Sequence, residues 1–119
     1  MATKILRITR HSITPEQEKA LRRAFGEISV HEHTESLPGN PQEAVPVFDE
    51  LADGYDVVEA VLPINLLSAI MGRSQFAKRG GRIIRAVMQR EMGPDGQAVF
   101  KFDHYEIVRE VRIVTEPLL

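Results

Sequence analysis

The feature that most constrains the fold is a regular alternation between strand-like and helix-like segments. Four runs that are apolar or alternate apolar and polar residues predict strands: 4–9, 27–33, 56–62 and 82–90. Segments with apolar residues at helical spacing separate these runs, and they begin at Thr14, near Asn40 and at Pro63. Because helical crossovers join neighbouring parallel strands, this alternation predicts a parallel sheet covered by helices.

The C-terminal third of the chain departs from the alternation. A turn built on Pro-Asp-Gly at residues 92–97 separates the fourth strand from two further strand-like runs, 98–102 and 105–115. We therefore predict an α/β fold with a Rossmann-like, open, mainly parallel sheet, helices on both faces and a C-terminal antiparallel strand pair. With 119 residues, 43% of them hydrophobic, the chain is expected to form a single domain over residues 1–119.

Composition excludes several classes of protein. The chain has no cysteine, so disulfides and thiolate metal sites are excluded, and a reducing cytoplasm is the expected location. No apolar run approaches the ~20 residues of a membrane span, and the N-terminus lacks the pattern of a signal peptide. His31 and His33 would share one face of a strand, but no third ligand is evident, so no metal site is predicted.

The strand order places the candidate site. If the order is 2-1-3-4, the crevice where it reverses lies between the first and third strands, beyond their carboxyl ends. The facing loops are 9–12, which contains Thr9, Arg10, His11 and Ser12, and 62–65, which contains Pro63, Ile64 and Asn65. Each loop leads into a helix N-terminus, where free N–H groups favour anions. Arg10 can bind a phosphate through two parallel hydrogen bonds, a bidentate contact, so the sequence predicts an anion or nucleotide site here.

Two histidines are candidates for proton transfer, because the ordinary pKa of imidazole lies near ~6.5. His11 is either an exposed polar loop residue or a general acid or base at the crevice. His104, in the run "FKFDHYE", is either a second acid or base or an ordinary edge-strand residue. Arg85, on the fourth strand, is a further candidate for the crevice, with a solvated side chain as its alternative.

Three segments together resemble a known family: "ITRHSITPEQ", "DVVEAVLPINLLSAI" and "FDHYEIVREV". They are similar to the small stand-alone CRISPR-associated proteins of type III systems, which are relatives of the CARF (CRISPR-associated Rossmann fold) domain and include compact ring nucleases. On this chain the family's turn motif falls on Arg10, His11 and Ser12. Its Leu-Pro loop falls on Pro63, Ile64 and Asn65, and its terminal motif includes His104.

The resemblance implies a homodimer that binds a cyclic oligoadenylate, most often cyclic tetra-adenylate, across its two-fold axis. It also implies cleavage without metal or other cofactor, in which a ribose 2′-hydroxyl attacks the adjacent phosphate and the signal that activates CRISPR effectors is switched off. A membrane or duplex DNA is not an expected partner. Two alternatives remain open: a binding-only sensor or sponge of the same fold, and a small interaction module whose acidic (27–59) and basic (60–90) segments mediate assembly.

Overall fold

Residues 1–112 and 114–118 are described by a computed structural model of the chain. The helices and strands follow one another in this order: β1 (Thr3–Ile8), α1 (Pro15–Phe25), β2 (Ile28–His33), α2 (Pro41–Ala52), β3 (Val57–Ala60), α3 (Ile64–Arg73), α4 (Gln75–Lys78), β4 (Arg82–Met92) and β5 (Ala98–Val108). None of the helices in these residues is long and apolar enough to cross a bilayer.

The strands of the described residues form one sheet in the order β2-β1-β3-β4-β5. The first four strands are parallel and β5 runs antiparallel to β4. Helix α1 packs on one face around Ile5, Leu21 and Ile84, and helices α2, α3 and α4 pack on the other around Phe48 and Ile70. The predicted α/β class, mainly parallel sheet and C-terminal antiparallel pair are therefore confirmed, and the strand order 2-1-3-4 assumed for placing the site is the observed one.

Two elements differ from the sequence-based expectation. The two runs predicted at 98–102 and 105–115 form one continuous strand, β5, because Asp103 is accommodated as a bulge between the pairs Val87–His104 and Met88–Phe102. This strand ends at Val108, and residue 113 of the predicted run lies outside the described residues. The helix predicted over 63–78 is divided at Ser74 into α3 and α4.

A side chain from a distant helix explains the division at Ser74. Asp49 of α2 accepts hydrogen bonds from the Ser74 hydroxyl (2.6 Å), the Gln75 amide (3.1 Å) and the Phe76 amide (3.2 Å). These groups begin α4, so the carboxylate caps the second helix from across the packing interface. Burial raises the pKa of Asp49, but hydrogen bonds from Ser74 and from the two amides outweigh it, so the pKa lies below its ordinary value.

We expect Asp49→Asn to destabilise the protein by about 1–2 kcal/mol at neutral pH, because an amide cannot accept all three hydrogen bonds. A lowered pKa in the folded state means that the carboxylate stabilises the protein above its unfolded pKa of ~3.9. This contribution is lost as the pH falls through the lower folded value. Urea unfolding between pH 7 and pH 3 measures it, with Glu50→Gln, exposed on the same helix, as the control. Equal pH dependence in both variants would contradict the assignment.

Candidate functional site

A cleft of about 360 Å³ opens at the carboxyl edge of the sheet, where the strand order reverses between β1 and β3. Three loops line it: residues 9–11 after β1, residues 34–39 after β2, and residues 61–63 after β3. Ile8 and Leu66 give it an apolar floor. The cleft is thus at the position expected for a ligand site in an open α/β sheet.

Polar groups of the first loop face this cleft. The guanidinium of Arg10 donates a hydrogen bond to the Ser36 hydroxyl at 3.1 Å, which ties the β1 loop to the β2 loop. The Thr9 hydroxyl accepts the His11 amide at 3.2 Å and turns the backbone sharply after β1. Arg10 and His11 are both exposed, so their side chains are accessible to a ligand entering from solvent.

The two helix N-termini near the cleft are not equivalent. Helix α1 begins with a complete capping box between Thr14 and Gln17, and its first turn carries Glu16 and Glu18. Helix α3 begins after Pro63 with no side-chain cap and no acidic residue in its first turn. Since an uncapped N-terminus free of carboxylates retains its positive electrostatic potential, α3 is the end that favours an anion.

Beneath the first loop lies a buried ion pair. Arg7 of β1 and Glu59 of β3 are each 1% exposed, and the Arg7 Nε donates to Glu59 Oε1 at 2.9 Å. The Tyr105 hydroxyl of β5 donates to the same carboxylate oxygen at 2.7 Å. All three side chains project from the sheet face that α1 covers, so the pair is shielded by that helix.

The ion pair is connected to the loop by further hydrogen bonds. Arg7 Nη1 donates to the His11 carbonyl at 3.1 Å and to Glu32 at 3.0 Å, and Glu32 also accepts the Ile13 amide at 3.0 Å. The side-chain oxygen of Gln17 accepts hydrogen bonds from both Arg7 and the Thr14 amide. The buried network therefore holds the backbone of residues 11–14 on the sheet.

The pKa shifts agree with this geometry. Burial would lower the pKa of Arg7, but the hydrogen bond and charge of Glu59 outweigh that effect, and the pKa is raised. Burial, together with the hydrogen bond to Glu59, raises the pKa of the Tyr105 phenol. Arg7 is therefore charged and Tyr105 is a neutral hydrogen-bond donor over the physiological pH range.

The structure brings together only part of the predicted set. Thr9, Arg10, His11 and Pro63 line the cleft, whereas Ser12 and Asn65 are exposed beside it.

Ile64 and Arg85 line a second depression, which adjoins the cleft at Leu62, and Arg85 pairs there with Glu106 at 3.1 Å. His104 lies on β5 and contacts Asp103, and it lines neither cavity. Within one chain the two candidate histidines are therefore not part of the same cavity.

Sequence reasoning did not single out Arg7, Glu59 or Tyr105. The available signal was a charged residue in the middle of an apolar strand run, in "ILRI" and in "VVEA". A charge at such a position needs a buried partner of opposite sign, and two such runs in one parallel sheet can supply it to each other.

No group of three or more His, Cys, Asp or Glu side chains able to hold a metal ion occurs in residues 1–112 and 114–118. No protein-family model matches the chain, and no similar protein was found among curated sequences or solved structures.

Proposed function

We propose that this chain is a ring nuclease that binds a cyclic oligoadenylate and cleaves it without a metal ion. Cyclic tetra-adenylate is the favoured ligand. The observation that supports the proposal most is the cleft at the strand-order reversal, which carries Arg10 and His11 on one loop and Pro63 on the facing loop. These are the positions on which the resemblance to type III CRISPR-associated proteins falls. The proposed compartment is a reducing cytoplasm.

The electrostatics of the cleft favour a phosphate. Arg10 supplies a guanidinium at the mouth, and the uncapped N-terminus of α3 supplies backbone N–H groups behind Pro63. A phosphodiester bridging these two elements would be held from both sides. Among the described residues, Arg10 and Glu35 are the arginine and the carboxylate that line the cleft and they balance each other, so the uncapped N-terminus of α3 supplies the excess positive potential there.

The volume of the cleft indicates how many copies of the chain one cyclic ligand needs. A volume of about 360 Å³ lies at the lower end of the ~300–1,000 Å³ range of small-molecule sites, and it suits one nucleotide unit better than a ring of four. A cyclic tetranucleotide would therefore need clefts from two copies of the chain. This supports the expected homodimer with the ligand across its two-fold axis.

The proposed chemistry is a transesterification within the ligand. The ribose 2′-oxygen forms a bond to the adjacent phosphorus while the bond from phosphorus to the 5′-oxygen breaks. The products are a 2′,3′-cyclic phosphate and a free 5′-hydroxyl. Arg10 would stabilise the charge that develops on the phosphate, and His11 would accept the 2′-hydroxyl proton or protonate the departing 5′-oxygen.

A binding-only sensor is the second candidate, and the position of His104 favours it. A cleavage that uses both an acid and a base needs two titratable groups at the phosphate. His104 does not line the cleft that contains His11, so among the described residues the second group would have to be Glu35. A chain that holds the ligand with Arg10 and α3 but lacks the second group would sequester the ligand rather than consume it.

The test is to incubate the protein with labelled cyclic tetra-adenylate in EDTA and to analyse the products. Linear products ending in a 2′,3′-cyclic phosphate support the ring nuclease. Binding without products supports the sensor, and the absence of both contradicts the two proposals together.

Arg10→Ala should weaken binding about 10–100-fold, because a hydrogen-bonded charge contributes ~1.5–3 kcal/mol. Arg22→Ala is the matched control, since Arg22 is an exposed arginine in the last turn of α1, whose carboxyl end is remote from the cleft. Equal effects of the two substitutions would exclude Arg10 as a ligand-binding residue.

A further inference from the structure

The C-terminal hairpin extends well beyond the rest of the sheet. Strand β3 pairs with β4 only from Arg82 to Ile84, and from Arg85 to Met92 the described part of β4 pairs with β5 alone. At ~3.3 Å per residue this two-stranded ribbon is roughly 26 Å long. Isolated two-stranded ribbons are marginally stable in water, so a ribbon of this length indicates that something packs against it.

The two faces of the ribbon differ in polarity. On the face continuous with the α1 side of the sheet, Met88 and Met92 of β4 stand beside Phe100 and Phe102 of β5, with Arg90 as the charged exception. Met88 is 46% exposed, Phe100 63% and Met92 67%.

The opposite face carries Gln89, Glu91 and Lys101, with Val99 as its exposed apolar exception, and Lys101 pairs with Glu91 at 3.1 Å. Alternation of this kind is the pattern of a sheet with one face in water and the other buried. We define the apolar face by Met88, Met92, Phe100 and Phe102.

We propose that this apolar face is the interface with a second copy of the same chain, packed ribbon against ribbon about a two-fold axis. The exposed area of the apolar face supports a second copy of the chain as the partner. Side chains of this size present ~200 Å² each, so the exposed fractions of Met88, Met92 and Phe100 amount to about 350 Å² per copy.

With Ala98 and Phe102, and with the aliphatic stem of Arg90 between Met88 and Met92, two copies would bury on the order of 1,000 Å² together, which reaches the lower limit of specific interfaces. A two-fold arrangement needs a self-complementary surface, and an apolar face that both strands of the ribbon share can pack against its own copy.

The position of the ribbon links this interface to the cleft. β4 continues past the level at which β1 and β3 end, so the ribbon extends from the same carboxyl edge of the sheet that carries the cleft. Joining two ribbons would place both clefts at the joined edges of the two sheets. The interface deepens the proposed function, but its argument depends only on the ribbon and holds whether or not the cleft binds a cyclic oligoadenylate.

Sedimentation equilibrium of the full chain without ligand tests the interface. We expect a dimer for the unmodified protein and a dissociation constant at least about 100-fold weaker for Phe100→Ser, because each dimer loses two buried aromatic rings. Val99→Ser is the matched control, since Val99 is 43% exposed and projects from the opposite face of the same strand. It should leave the dimer intact.

Circular dichroism checks that both variants keep their secondary structure, and a charge placed in the apolar face, Met92→Glu, provides a second variant if Phe100→Ser fails to fold, because Met92 is 67% exposed in the single chain. A monomeric unmodified protein at 100-micromolar concentration would overturn the proposal, as would a dimer that Phe100→Ser and Met92→Glu leave unaffected. A protein that is monomeric without ligand but still cleaves or binds cyclic tetra-adenylate would overturn this interface and leave the proposed function standing, with the ligand itself joining the two clefts. A dimer that neither binds nor cleaves cyclic tetra-adenylate would overturn the proposed function and leave this interface standing.

Discussion

Replacing Arg7 by methionine is expected to destabilise the protein by about 3–5 kcal/mol, the largest stability effect that we predict for a single substitution. Methionine fills a similar volume but leaves the Glu59 carboxylate buried with the Tyr105 hydroxyl as its remaining donor. The desolvation of an uncompensated charge, rather than the loss of contact area, accounts for the effect. Urea unfolding followed by circular dichroism measures it.

Two further variants separate the charge effect from general damage to the core. The double variant Arg7→Met/Glu59→Leu should recover much of the loss, because removing both members of a buried ion pair also removes the desolvation cost. Arg22→Ala breaks the exposed pair with Glu18 and should change stability by less than ~0.5 kcal/mol. A double variant as unstable as the sum of its single changes would contradict the buried-pair explanation.

Arg7→Met should also make the loop after β1, which lines the cleft, more mobile. Arg7 donates to the His11 carbonyl and to Glu32, and Glu32 holds the Ile13 amide. Faster hydrogen exchange at the Ile13 amide in Arg7→Met, measured in conditions where the protein remains folded, would show that the pair positions the loop as well as stabilising the sheet. Unchanged exchange there would restrict Arg7 to a stabilising role.

The alternation of parallel strands and helices could be predicted because each crossover is local. The capping signals at Thr14 and Asn40 and the apolar strand runs identify a strand, helix and strand in sequence, and chain handedness then leaves few topologies. The division of α3 from α4 could not be predicted in this way. It depends on Asp49, which is 25 residues from Ser74 and meets it only after the helices have packed.

Only part of the candidate site could be predicted from the sequence. Residues 9–11 and Pro63 follow strands whose neighbours could be predicted, so their meeting at one cleft follows from topology. Arg85 and His104 lie on the two strands of the C-terminal pair, and neither lines the cleft, because the sequence does not show where the side chains of this pair lie relative to the cleft. The Arg7–Glu59 pair joins residues 52 apart, and only the register of β1 with β3 shows that their side chains meet.

If His11 transfers a proton during cleavage, His11→Ala should lower the single-turnover rate with cyclic tetra-adenylate about 100-fold or more while leaving binding within a few-fold. The separation of rate from binding is expected because the loop is held through the His11 carbonyl, which alanine retains, while the imidazole is exposed in the cleft. Rapid-quench measurements with enzyme in excess give the rate, and equilibrium binding in EDTA gives the affinity.

His31→Ala is the control for that measurement, because His31 lies on the opposite side of β2 from the Glu32 contacts and packs against Tyr55. His104→Ala tests the second histidine under the same conditions. Because His104 lies outside the cleft of its own chain, its loss should reduce the rate less than the loss of His11, unless the second copy delivers it to the ligand. A larger loss of rate in His104→Ala than in His11→Ala would assign the proton transfer to His104 on β5. An unchanged rate in His11→Ala would exclude His11 from the chemistry. Arg10 and the α3 N-terminus would then form a binding site alone.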